Sequence, residues 1–375
     1  MRAARLLVVV ALGAASFAAI PSHADPGKGH GHAYGHEKPT VPPARGCTGD
    51  PGTYSLLEFT SNGQTAKALY VLPRQQPRGI VVFDHGYSHT MYSWIRHMER
   101  TANTLGVIAV TPDYRGQYDD FSTSPLPTSR GWRVAEGAVD TNNVVQLLDQ
   151  RCFSATASAT AHNVIYSVSM GGNTAGLALA AQPKRQGGKP LYDEWVDVEG
   201  AANVIETYLG ARVLAPVNGF AANAKADIEK EMGGPLESRS GTYRQRTVVN
   251  RTQEIAGAGL KGVVMVHGYA DGLVTHDISR QLQALLRAQG VPVDFRSFLT
   301  HSSGSEPGTT LDGYAPTGVT SPFAGHASEA SETHDVGMEG FRALAELFAG
   351  HHVSCRDSLT DGASGQSTTV SDGCS

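Results

Sequence analysis

The chain has 375 residues, 40% hydrophobic and 17% charged, enough for one large α/β domain or two ordinary ones. A formal net charge of −5 leaves no basic footprint for nucleic acid and no polybasic patch for a membrane surface. Fifteen histidines make that charge sensitive to pH between about 5 and 7.

Residues 1–24 read as a secretory signal. Arg2 and Arg5 form a basic start, Leu6–Ile20 is an apolar run of fifteen residues, and Ser22 and Ala24 are small residues placed for cleavage before Asp25. The run is short of the roughly 20 residues a spanning helix needs, and Pro21 closes it. No later segment could span a bilayer, so a secreted protein without stable membrane insertion is expected. Residues 25–45 are rich in Pro, Gly and His, with His30, His32 and His36 closely spaced. A flexible segment is the default for such composition, and weak metal chelation is its functional alternative.

Regular structure is expected from Thr53. Tyr54–Thr60 and Ala66–Leu72 flank an Asn62-Gly63 hairpin turn. Gly79–Asp84 is a continuous apolar run, as in a strand covered on both faces, and ends at His85-Gly86-Tyr87. A helix over Met91–Leu105 and a buried strand over Val107–Thr111 follow, then a helix over Val134–Gln150. The segment NVIYSVSMGGNTAG, Asn163–Gly176, passes from a β-branched strand through an abrupt turn into an Ala/Leu-rich helix. Trp195–Gly200 is the next short strand, and 203–259 breaks the rhythm as a helical insertion. Rhythm resumes with a strand over Lys261–His267, a helix over His276–Gln289, a strand over Val293–Leu299 and a helix over Val336–Ala349. This alternation predicts a mostly parallel, doubly wound sheet. The domain is expected to run from 46 to 355, with 356–375 as a polar tail.

Export favours disulfides among Cys47, Cys152, Cys355 and Cys374. Three pairings are possible. Cys47–Cys152 with Cys355–Cys374 is preferred, because the second bridge would staple a tail that has no apolar face.

The abrupt turn has the form of a nucleophile elbow, small-x-Ser-x-Gly, with Ser169 as the nucleophile, Gly171 as the motif glycine and Ser167 in place of the first glycine. Catalytic groups of such a sheet gather beyond the carboxyl ends of its strands. There, a glycine at 86 lets the Tyr87 amide turn toward Ser169, with the Met170 amide as second oxyanion donor. Asp271, after the Lys261–His267 strand, is the expected acid, with Asp197 and Glu199 as lesser candidates. His326 is the expected base, ahead of His334 and His301, because it has the loop position and a preceding glycine.

In this order, FDHGYSH, PDYRGQ, SVSMGG, HGYADGLV and AGHA make residues 53–350 resemble the α/β-hydrolase family of serine hydrolases. The resemblance implies an α/β-hydrolase fold with an eight-stranded sheet, a Ser169–His326–Asp271 triad, no cofactor or metal, and a cap formed by the insertion. Ser167 and the long loop from Thr300 to Gly325 depart from the family pattern. The expected activity is hydrolysis of a small-molecule ester through an acyl-enzyme. The alternatives are a serine peptidase, for which Asp227, Glu229 and Glu231 in the cap could hold a peptide amine, and a non-catalytic binding protein. The sequence carries no H-E-x-x-H, C-x-x-C, complete P-loop or strand followed by G-x-G-x-x-G.

Overall fold

The computed structural model describes residues 46–115, 131–269, 271–299, 326, 332, 334–362 and 364–374. The expected signal and His-rich segment, His301 and most of the loop before His326 lie outside them. Within them the strands are β1 (Tyr54–Ser61), β2 (Gln64–Val71), β3 (Ile80–Asp84), β4 (Ile108–Asp113), β5 (Val164–Val168), β6 (Glu194–Val198), β7 (Gly262–Gly268), β8 (Val293–Leu299), β9 (Arg356–Asp361) and β10 (Gln366–Asp372). They form one sheet in the order β1-β2-β4-β3-β5-β6-β7-β8-β9-β10. Every pairing from β4 across to β9 is parallel, and the two ends of the sheet are antiparallel. Strand order reverses between β3 and β5, and a crevice opens at such a switch point beyond the strand ends.

The apolar runs explain the layers. Along β3, Ile80 and Val82 join the core on one face while Val81 and Phe83 join the core on the other. A strand buried on both faces has no polar alternation to show, which is why GIVVFD reads as an unbroken run. Helices α1 (Ile95–Leu105) and α10 (Asp335–Phe348) pack on one face through Met98, Ala102, Val336 and Leu344. The other face carries α2 (Val134–Cys152), α4 (Met170–Ala180) and α9 (His276–Ala288). A short helix that periodicity did not predict, α3 (Ala155–Thr160), is started by the Ser154 side chain, which accepts from the Ala157 amide at 3.2 Å.

The insertion folds into α5 (Val204–Leu214), α6 (Gly219–Met232) and α7 (Leu236–Arg246), with α8 (Thr252–Gly257) returning to pack on α4 and α9. Asn203 and Asn218 cap α5 and α6 by accepting from the Glu206 and Ala221 amides, at 3.3 and 3.0 Å.

Two disulfides are present, Cys47–Cys152 and Cys355–Cys374, with Cα separations of 4.8 and 5.0 Å. The first ties the segment before β1 to the end of α2. The second closes a hairpin, and here the sequence expectation is corrected. Residues after Cys355 form strands β9 and β10 and take the sheet from eight strands to ten. The pairing of β9 with β8 rests on backbone hydrogen bonds, which need no apolar face. Arg356 adds hydrogen bonds to Asp294 of β8, at 3.1 and 2.8 Å. The folded unit therefore continues past 355.

Candidate active site

The elbow is visible in the backbone. Ser169 stands between β5 and α4 at φ 56°, ψ −123°, a conformation that side chains other than glycine rarely adopt. Its carbonyl accepts from the Gly172 and Ala201 amides at 2.9 and 2.8 Å, and its amide donates to Val198 at 3.1 Å. Small neighbours let the turn close. A Cβ on Gly171 would stand 2.1 Å from the Asp84 carbonyl oxygen, and one on Gly172 would stand 2.5 Å from both Asp197 Oδ1 and Gly200 Cα. Ser167 is buried on β5. Its hydroxyl donates to Asp197 Oδ1 at 2.8 Å and accepts from Trp195 Nε1 at 2.8 Å.

Beside the elbow, β3 ends at the buried Asp84, whose Oδ1 accepts from Thr141 Oγ1 at 2.6 Å. Burial pushes this carboxyl up to about 8, against the pull of hydrogen bonds from Thr141 and Tyr114. The His85 ring stacks on Tyr114 at 4.0 Å, and Tyr114 Oη donates to the His85 carbonyl at 3.1 Å, which fixes the path of the chain into Gly86 and Tyr87. Met170 opens α4, so its N–H has no acceptor within the helix, and its side chain is buried.

On the far side, Asp271 is buried after β7. Its Oδ1 accepts from the Leu273 and Val274 amides at 2.8 and 2.9 Å, and its Oδ2 lies 2.8 Å from His326 Nδ1. Burial alone would raise this carboxyl. The His326 charge, with hydrogen bonds from His267 and His326, outweighs burial and holds it well below the usual carboxylate range. Of the two described candidate histidines, His326 is therefore the one that meets the acid. His334 precedes α10, is buried, and is pushed down to about 4 by burial and then by the His326 charge.

Ser169, His326, Gly86 and Tyr87 face one cavity of about 390 Å³ roofed by α5 and α6. Its walls are mostly apolar, with Trp132, Leu214, Phe220, Ala224 and Ile278 among them. Seated on a doubly wound sheet, this arrangement can be set beside known proteins. No protein-family model matches the chain, and no curated protein matches it in sequence. Among solved structures it is similar to an acylaminoacyl peptidase in complex with Z-Gly-Gly-Phe-chloromethyl ketone (15% identity, TM-score 0.52, 80% of this chain and 42% of that one). It is similar to a thermostable esterase from Pseudomonas putida ECU1011 (15% identity, TM-score 0.52, 80% and 83%). A thermostable carboxyl esterase from Bacillus coagulans in complex with glycerol is similar as well (16% identity, TM-score 0.50, 80% and 98%). The chain has the α/β-hydrolase fold. It spans less than half of the peptidase, 42%, and 98% of the Bacillus esterase.

In this α/β-hydrolase fold the lesser acid candidates part ways. Asp197 hydrogen-bonds Ser167, and burial pushes it up to about 7 against that bond. Glu199, by contrast, puts Oε2 at 3.5 Å from His326 Nδ1. Sequence reading also missed His267, the last histidine of the KGVVMVH strand. It is fully buried, with Nε2 3.2 Å from Asp271 Oδ2 and 2.9 Å from the Val274 carbonyl, and Nδ1 2.7 Å from Ser279 Oγ. Position at the strand end was the signal that could have found it.

Among the described residues, Glu199, His267 and Asp271 bring ligand-type atoms within 4.8 Å of one another. These atoms already serve hydrogen bonds to amides, to a carbonyl, to a hydroxyl and to one another, so the donor set fits a proton network better than a metal. The cap acids are engaged too. Asp227 accepts from Tyr87 Oη at 2.6 Å, Glu229 from Tyr208 Oη at 2.7 Å, and Glu231 from the Ala135 amide at 3.2 Å.

Proposed function

We propose that the protein is a secreted serine hydrolase that cleaves carboxylic esters and binds the acyl chain in the apolar cavity. One observation carries this reading: His326, 2.8 Å from the buried Asp271, lines a mostly apolar cavity together with a serine on a strained elbow. His326 takes the Ser169 proton, Ser169 Oγ attacks the ester carbonyl carbon, and the Tyr87 and Met170 amides hold the oxyanion. His326 then protonates the departing alcohol. Water, deprotonated by His326, cleaves the acyl-enzyme to the free acid and restores Ser169.

Ester hydrolysis is favoured over peptide hydrolysis by the cap. Asp227, Glu229 and Glu231 do not line the cavity; among the described residues the one cap acid that does, Glu206 of α5, already accepts from Asn203 Nδ2 at 2.8 Å. Export is supported by the signal-like start of the chain and by two disulfides, which persist in oxidising compartments. No described helix is long and apolar enough to cross a membrane.

A fluorophosphonate probe should label the protein, and Ser169→Ala should abolish labelling. In a panel of p-nitrophenyl esters and aminoacyl anilides the esters should be the better substrates. Labelling that survives Ser169→Ala removes the assignment of the nucleophile, and faster anilide cleavage replaces esterase by peptidase.

A further inference from the structure

We propose that Glu199 is a positioning residue for this site, a second buried carboxylate that shares with Asp271 the positive charge forming on His326. The inference rests on the Ser169–His326–Asp271 reading above.

Three observations meet at Glu199. The first is geometric: His326 Nδ1 has Asp271 Oδ2 at 2.8 Å and Glu199 Oε2 at 3.5 Å, and both carboxylates are fully buried. The nearer oxygen takes the Nδ1 hydrogen, while the farther one acts through its charge.

The second concerns the balance of charge. Asp271 Oδ2 does not serve His326 alone, because His267 Nε2 stands 3.2 Å from it. Burial opposes the charged form of His267, yet the hydrogen bond and charge of Asp271, the Glu199 charge and the Val274 carbonyl together hold it above its ordinary value. Around the pair stand His276 at the start of α9 and His334 and Asp335 at the start of α10. Burial, then the charges of His267 and His326 respectively, push His276 and His334 down to about 4, so both are neutral near pH 7. The inner cluster is thus two carboxylates facing two imidazoles. When His326 takes the serine proton, a second carboxylate is already in place.

The third is the cost of placing Glu199. It is fully buried, and its backbone stands at φ 51°, in the left-handed region. Its amide donates to Val266 at 2.9 Å and its Oε1 accepts from the Gly268 amide at 3.1 Å, which pin it between the ends of β6 and β7. Backbone strain and a buried carboxylate are expensive together and persist where the surroundings fix them for a purpose.

The test is steady-state hydrolysis of a chromogenic ester by Glu199→Gln, Asp271→Asn and the double variant, with Ser169→Ala as baseline. Gln keeps an acceptor for the Gly268 amide while removing the charge. Glu199→Gln should lower kcat about tenfold at unchanged KM, as expected when one of two charges beside an imidazolium is removed. The acidic limb of kcat/KM should move to lower pH, because losing a neighbouring carboxylate lowers the imidazole pKa. Asp271→Asn alone should lose far less than the roughly 10⁴-fold that removal of a sole triad acid costs, and the double variant should approach that loss. A purely structural role would leave the acidic limb where it is. The proposal is overturned if Asp271→Asn already costs about 10⁴-fold and the double variant is no worse. Should Glu199→Gln not fold by circular dichroism, the size of the Asp271→Asn loss decides alone. Hydrolysis that survives Ser169→Ala would be a different failure, of the site reading itself, and Glu199 would fall with it.

Discussion

Gly171→Ala tests whether the elbow depends on close approach of two backbones. The added methyl carbon would stand 2.1 Å from the Asp84 carbonyl oxygen, where real contacts stay beyond 3.0 Å, so α4 and the end of β3 must separate by at least 0.9 Å (3.0 − 2.1). Neither partner can give cheaply. Asp84 is the last residue of a strand hydrogen-bonded on both sides, and Gly171 sits in the first turn of a fully buried helix. Helix propensity favours Ala over Gly by up to about 1 kcal/mol. Overpacking of this kind costs about 1–3 kcal/mol and should reverse that gain. The larger effect falls on reactivity, because displacement of a nucleophile by ~1 Å can cost about 10²-fold. Urea unfolding should therefore show a less stable variant, and the second-order rate of fluorophosphonate labelling should fall about a hundredfold. Gly241→Ala in α7 is the control. Its Cβ would meet nothing within 4 Å, so stability should rise by up to about 1 kcal/mol with labelling unchanged. A Gly171→Ala protein that labels at the wild-type rate and unfolds no earlier would refute the packing argument.

Three further outcomes are expected. Asp84 is pushed up to about 8 by burial, so the folded chain holds a proton that the unfolded chain releases near 4; this contribution is complete below about pH 4 and lost as pH rises through 8. The stability of Asp84→Asn relative to wild type should therefore climb from pH 5 to pH 8 in urea titrations, and a difference independent of pH would count against a protonated Asp84. Replacing Cys47 and Cys152 together by Ser, at a sequence separation of 105, should cost up to about 4.8 kcal/mol of global stability by the chain-entropy relation; the Cys355–Cys374 loop, at a separation of 19, gives about 3.2 kcal/mol, with its loss showing in hydrogen exchange of β9 and β10. Ala224→Phe on the cavity wall should shorten the preferred acyl chain: each excluded methylene forfeits about 0.8 kcal/mol, roughly fourfold in kcat/KM, so the octanoate-to-acetate ratio should collapse while acetate is spared.

What was legible before the structure was local. The candidate elbow, the glycine after β3 and the candidate acid after β7 are each marked within a few residues, because a turn that exposes a side chain beyond a strand end needs small or turn-forming neighbours. The C-terminal hairpin was illegible for the opposite reason: β9 and β10 join the sheet through backbone pairing and a disulfide, and neither leaves an apolar period to read. The partners of the cap acids were illegible because charge on an insertion says nothing of its partner: Asp227 meets the Tyr87 hydroxyl, 140 positions away. Glu199 stood only as a lesser acid candidate and His267 was missed as a partner of Asp271, because these meetings depend on how the ends of β6 and β7 sit side by side.

Ser167 shows how a departure from a motif can carry information. In sequence it is a small residue that the elbow tolerates where the motif has glycine. In the fold its hydroxyl accepts from Trp195 Nε1 and donates to Asp197, joining β5 to β6 inside the core. A glycine would leave the buried indole N–H without this acceptor and the Asp197 carboxyl without this donor, and each loss is costly in a low-dielectric interior. The serine and its two partners are therefore one polar unit, and the pair Trp195 and Asp197, two residues apart on one strand face, is its sequence counterpart. That unit lies directly beneath the elbow. Because Asp197 also crowds Gly172 of α4 and Gly200 after β6, the elbow helix, the Ser167 hydroxyl and the turn that carries Glu199 all pack around one side chain.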